Sequence, residues 1–102
     1  MNQPELFDIV ELLVDLPENE LQSGVQGTIV ECYGDDVYEI EFTNSEGETL
    51  ALCTLSPQQF IIVWQAKTKS WLSLPEQITD VVKKLDSARQ KEVFKFARSL
   101  QN

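Results

Sequence analysis

The chain has 102 residues, 17 carboxylates against eight Lys plus Arg, no histidine, and a formal charge of -9. With 42% apolar residues it is composed as one small globular domain with a single core, and not as a disordered acidic segment. The lack of histidine removes serine–histidine and cysteine–histidine dyads, an imidazole base and the common zinc sites.

Five short extended runs come first. Leu6 to Val14 is apolar with Asp8 and Glu11 interspersed, and it ends at Asp15-Leu16-Pro17. Residues 15–24 form a loop around one apolar anchor, Leu21. Val25 to Tyr33 is β-branched and aromatic and stops at the turn Gly34-Asp35-Asp36. Val37 to Phe42 alternates strictly, placing Tyr38, Ile40 and Phe42 on one face and Glu39 and Glu41 on the other, the signature of a half-buried strand. Asn44-Ser45-Glu46-Gly47 is a hairpin loop. Glu48 to Leu55 follows, then Ser56 to Gln59 with room for one 3₁₀ turn, then Phe60 to Trp64. Five such strands joined by tight turns predict a small closed antiparallel barrel, because closure removes edges that a thin sandwich could not cover. Gly24 and Gly27 bracket the start of the second strand, where a sharply bent barrel strand favours residues without a side chain.

The period changes after residue 72. Ser73-Leu-Pro-Glu76 is a capping-box arrangement, and Ile78, Val81, Val82 and Leu85 follow at helical spacing. Asp86-Ser87 breaks the pattern. A second box, Ser87-x-x-Gln90, then precedes Val93, Phe96, Ala97 and Leu100 at the same spacing. The prediction is a two-helix tail, or one helix kinked near residue 86, with an apolar stripe to be covered by the barrel, a second copy or a partner. The domain division expected is an acidic barrel over 1–66 and a linker with a basic amphipathic tail over 67–102.

Charge follows that division. Residues 1–66 hold thirteen carboxylates and no Lys or Arg, whereas residues 67–102 hold eight basic and four acidic side chains. A surface of this kind repels nucleic acid and anionic membranes, so neither is expected as a partner. No apolar run approaches the roughly 20 residues that span a bilayer. The opening Met1-Asn2-Gln3-Pro4-Glu5 lacks the features of a signal peptide. Cys32 and Cys53 fall in strand runs and read as buried free thiols in a reducing cytoplasm, with a bridge between adjacent strands as the other arrangement.

From Leu6 to Leu55 the ordered motifs form a recognisable set. They are Phe7-Asp8-Ile9-Val10-Glu11-Leu12, Asp15-Leu16-Pro17-Glu18, Leu21-x-x-Gly24-x-x-Gly27-Thr28-Ile29-Val30, Tyr38-Glu39-Ile40-Glu41-Phe42 and Gly47-x-Thr49-Leu50-Ala51-x-x-Thr54-Leu55. In these the chain resembles a prokaryotic family, abundant in cyanobacteria, of small domains of unknown function with an SH3-like barrel. That resemblance implies a fold and no activity. The tail from Leu74-Pro75-Glu76 to Ser99-Leu100 is similar to a helical segment of small antitoxin-like proteins, although Lys91, Lys95 and Arg98 make it more basic than the usual form.

Chemistry-bearing patterns are sparse. Asp35, Asp36, Glu31, Glu39 and Glu41 lack EF-hand spacing, and no nucleophile or oxyanion-hole motif accompanies them, so no metal, cofactor or catalytic residue is expected. Gly24-x-x-Gly27 precedes a strand and lacks the Lys-Ser/Thr of a phosphate loop. Tyr38 is in phase with the core, whereas Tyr33 and Trp71 are candidates to contact a partner beside acidic loops. The expected function is a non-enzymatic protein-binding module. Its acidic rim, Asp35, Asp36, Glu39, Glu41, Glu46 and Glu48 with Tyr33 and Trp71, meets a basic protein, and Val93 and Phe96 dock a partner or a second copy. The alternative is an antitoxin or immunity-type protein whose acidic face fills the cationic groove of a nuclease-like toxin.

Overall fold

A computed structural model describes residues 3–101. Met1 and Asn2, part of the opening segment read above for a targeting signal, lie outside the described residues. The chain divides into two compact units, one ending at Leu72 and one beginning at Ser73.

The first unit is one antiparallel sheet of six strands: β1 (Ile9–Leu12), β2 (Gln26–Gly34), β3 (Val37–Thr43), β4 (Thr49–Leu55), β5 (Phe60–Gln65) and β6 (Ser70–Trp71). Their order is β4-β3-β2-β1-β5-β6. Two expectations are corrected here. The strand count is six and not five, because Lys69 takes a left-handed φ of 52° and returns the chain, pairing Trp71 with Trp64 and Ser70 with Gln65. The sheet is also not closed into a barrel. The 3₁₀ turn Pro57–Gln59 between β4 and β5 gives its Gln59 carbonyl to the Leu13 N–H just after β1, and β4 and β6 stand at the two ends of the ladder without pairing to each other. The first strand is shorter than its apolar run. Phe7 has a left-handed φ of 72° and Asp8 N–H returns to the Glu5 carbonyl, so the residues before Ile9 form a turn.

The core follows strand alternation except in β5, where Phe60, Ile61, Ile62 and Val63 are all buried. Val10 and Leu12 of β1, Ile29 of β2, Tyr38, Ile40 and Phe42 of β3, Cys53 and Leu55 of β4, and Phe60 and Ile62 of β5 bury together with Leu21 and Leu72. Tyr38 belongs to this core, as its phase predicts, and meets Phe60 edge-on with ring centroids 6.0 Å apart. Gly27 serves packing as well as bending: a β-carbon there would lie 2.8 Å from Ile40 Cγ2 and 2.8 Å from two carbons of the Phe42 ring. Cys32 is exposed and Cys53 buried, both free, which corrects the reading of two buried thiols. They sit on β2 and β4, with β3 between them.

The second unit is a pair of helices, α1 (Leu74–Lys83) and α2 (Ser87–Ser99). Ser73 and Glu76 form the expected capping box. The second box is corrected. Asp86, one residue earlier, accepts the Arg89 N–H at 2.9 Å and pairs with its guanidinium, while Gln90 Nε2 reaches back to the Val82 carbonyl and ties α2 to α1. No described helix is long and apolar enough to cross a membrane.

Candidate functional site

Strict alternation in β3 aims Glu39 and Glu41 away from the core. Register sets their neighbours. Glu39 stands opposite Glu31 of β2 and Thr54 of β4, and Glu41 opposite Thr28 of β2 and Leu52 of β4. The Thr54 hydroxyl donates to Glu39 Oε1 at 2.9 Å and the Tyr33 hydroxyl donates to the same oxygen at 3.2 Å. Thr49 donates to Glu41 Oε2 at 2.5 Å. Both carboxylates are half-buried and oriented by hydroxyls, and among the described residues no ion pair involves the sheet unit; the one that forms is Arg89–Asp86. Partial desolvation, then the charge and hydrogen bond of Glu39, and lastly Glu31, hold the Tyr33 phenol above its usual range, so it stays a donor. Burial, then the Glu39 charge, pushes the Cys53 thiol up as well.

The other residues singled out from the sequence are distributed unevenly about this face. Asp35 and Asp36 form the tip of the β2–β3 hairpin, both left-handed (φ 54° and 58°), the geometry of a two-residue type I′ turn. Glu46 and Glu48 lie in the next turn, where their N–H groups both donate to Asn44 Oδ1 at 2.9 Å and Asn44 Nδ2 donates to the Glu48 carboxylate. Trp71 does not join them. It sits on β6, separated from β3 by β2, β1 and β5, and packs edge-to-face on Trp64 with centroids 6.4 Å apart. Val93 and Phe96 are on α2 in the other unit, Val93 half-buried and Phe96 67% exposed.

Two features escape the sequence reading, one on this face and one at the start of β1. On β4, Leu50 and Leu52 flank the inward Ala51 and are 57% and 56% exposed, directly beside the carboxylate row. The run Thr-Leu-Ala-Leu-Cys-Thr-Leu is apolar on both faces, so its pattern gives no phase. Asp8 is the second. It is 2% exposed, and its carboxylate accepts the backbone N–H of Glu5 and of Ala66, each at 2.9 Å, clamping the turn before β1 to the end of β5. Nothing in an apolar run with one aspartate distinguishes this clamp from a solvated side chain.

Chemically, the outer face of β2-β3-β4 offers fixed hydrogen-bond acceptors beside an apolar strip. No three His, Cys, Asp or Glu side chains among the described residues converge to hold a metal ion. No curated protein and no solved structure matches the chain. The sequence profile of a family described as a domain of unknown function, DUF4926, matches residues 6–62, from the turn before β1 into β5. That stretch covers over half the chain and contains every residue of the acidic face, so the chain belongs to the DUF4926 family.

Proposed function

We propose that this chain is a non-enzymatic protein-binding module whose acidic outer sheet face receives a basic protein surface in the cytoplasm. The observation that carries the reading is Glu31 opposite Glu39 in the β2–β3 register, with the Glu39 carboxylate held by Tyr33 and Thr54 and, among the described residues, no cation in the sheet unit paired to it. Like charges directly opposite across a ladder are destabilising, so a partner that supplies the cation gains what the free sheet lacks. The two free thiols support the cytoplasmic part of the reading. We further read the sheet as SH3-like in connectivity; the pairing of β1 with both β2 and β5 supports this.

The test is recovery of a partner from lysate at low and at high salt, with the wild-type chain and with Glu39→Gln/Glu41→Gln. The expected result is a partner held at low salt, released at high salt and lost from the double variant by roughly tenfold, the effect of about two exposed ion pairs. A partner retained equally by both chains at both salts would refute the acidic face as the recognition surface.

A further inference from the structure

We infer that the free edge of β4 takes up an extended basic segment of a partner as a seventh strand, with the partner's Lys or Arg side chains crossing Leu50 and Leu52 to reach Glu39 and Glu41. The inference rests on the acidic-face reading and adds to it the conformation and the sequence pattern of what binds.

The two edges of the sheet differ. β6 is two residues long and follows the left-handed turn at Lys69, a very short edge of the kind that limits pairing. β4 runs seven residues without a proline, a glycine or a charge. Its backbone bonds among the described residues all go to β3, and alternate N–H and C=O groups of an edge strand point outward. A strand added there continues both faces of the sheet. Its inward side chains fall beside Ala51, Cys53 and Leu55, which calls for apolar residues. Its outward side chains fall beside Leu50, Leu52 and Thr54. Glu39 and Glu41 are then two strand spacings away, about 10 Å, a span that a long cationic side chain covers with its stem on the leucines. Charge selects against a second copy as occupant, since that would bring two carboxylate rows and no cation to one edge. The ligand chemistry is therefore an extended segment that alternates basic and small apolar residues.

The full-length chain is titrated with a capped seven-residue peptide alternating arginine and valine, matched to the length of β4. Two controls accompany it: the same residues in two blocks, and the alternating peptide methylated at every backbone nitrogen. The expected result is that the alternating peptide binds about tenfold tighter than either control and slows amide exchange across Thr49–Leu55. Glu39→Gln/Glu41→Gln is expected to weaken it. Equal binding of all three peptides, or no binding by any, would overturn strand addition; equal and salt-sensitive binding does so while leaving the acidic-face reading intact. Alternating-peptide binding that the double variant leaves unchanged would overturn both. Concentration-dependent protection of Thr49–Leu55 in the free chain would assign the edge to a second copy and overturn the inference too.

Discussion

Gly27→Ala puts the packing of the sheet unit to a quantitative test. The added β-carbon would stand 2.8 Å from Ile40 Cγ2, Phe42 Cδ1 and Phe42 Cε1, whereas ordinary contact begins at 3.4 Å, so three atoms must retreat by about 0.6 Å. Neither side chain has room at the surface, since Ile40 and Phe42 are both fully buried. The backbones cannot separate cheaply either, because Thr28 and Ile29 are paired with Glu41 and Ile40 immediately beside the clash. Overpacking of this kind costs about 1–3 kcal/mol, and a rigid site on three contacts belongs at the upper end, about 3 kcal/mol. Against a typical domain stability of roughly 5–15 kcal/mol, that lowers Tm by roughly 10–20 °C. Urea unfolding followed by the fluorescence of Trp64 and Trp71, both in the sheet unit, measures it as a lower midpoint at unchanged slope. Phe42→Leu removes the ring edge, so Gly27→Ala should cost about 1 kcal/mol less in that background. A loss below about 1 kcal/mol in the wild-type background, or no coupling to Phe42, would refute the close approach as the reason for a glycine here.

Three further outcomes are expected. Asp8→Asn turns one of two buried acceptors into a donor facing a backbone N–H, so it should destabilise the sheet unit by about 1–3 kcal/mol in the same urea assay. In the folded chain one thiol, the exposed Cys32, should react with a maleimide while Cys53 stays protected until unfolding; Cys32 itself should react more slowly than free cysteine, because desolvation first and then Glu31, Asp8 and Glu5 raise its pKa. The Ser73 hydrogen bonds hold the Glu76 carboxyl below its ordinary 4.5, and the Arg89 N–H holds Asp86 below 3.8. A depressed folded value stabilises above the unfolded pKa and is lost as pH falls through the folded one. Helical circular dichroism should therefore decline on acidification below about pH 4.5, with a smaller change in Glu76→Gln/Asp86→Asn.

Legibility in the sequence tracks how much of each element's environment is local. β3 is plain because Tyr-Glu-Ile-Glu-Phe marks its two faces with opposite chemistry. The Ser73 box is plain because every partner lies within one turn. At the second helix the Ser87 box is displaced by Asp86, because its carboxylate serves the Arg89 N–H and guanidinium together. The grouping of site residues was less accessible, since it depends on strand order. β1 sits between β2 and β5, and that single non-sequential placement sends β6 and Trp71 to the edge opposite β4. Openness of the sheet is likewise a matter of strand order: β4 and β6 stand at its two ends, a placement no local pattern encodes.

The facing glutamates connect stability with function in a single variant. Glu31 and Glu39 are directly opposed, and an opposed like-charge pair costs roughly 0.2–1 kcal/mol. Glu31→Gln removes the repulsion without touching the Tyr33 and Thr54 hydrogen bonds that orient Glu39. The variant should gain up to about 1 kcal/mol in urea unfolding at low salt, a gain that shrinks as salt screens the pair. If the face exists to receive cations, the same change should slow association with a basic partner, because one charge of the attracting row is gone. Stability bought in this way at the cost of binding is the pattern of a surface kept strained for recognition. A variant that is more stable and binds as fast as the wild type would show that the opposed pair is a tolerated surface cost with no part in recognition.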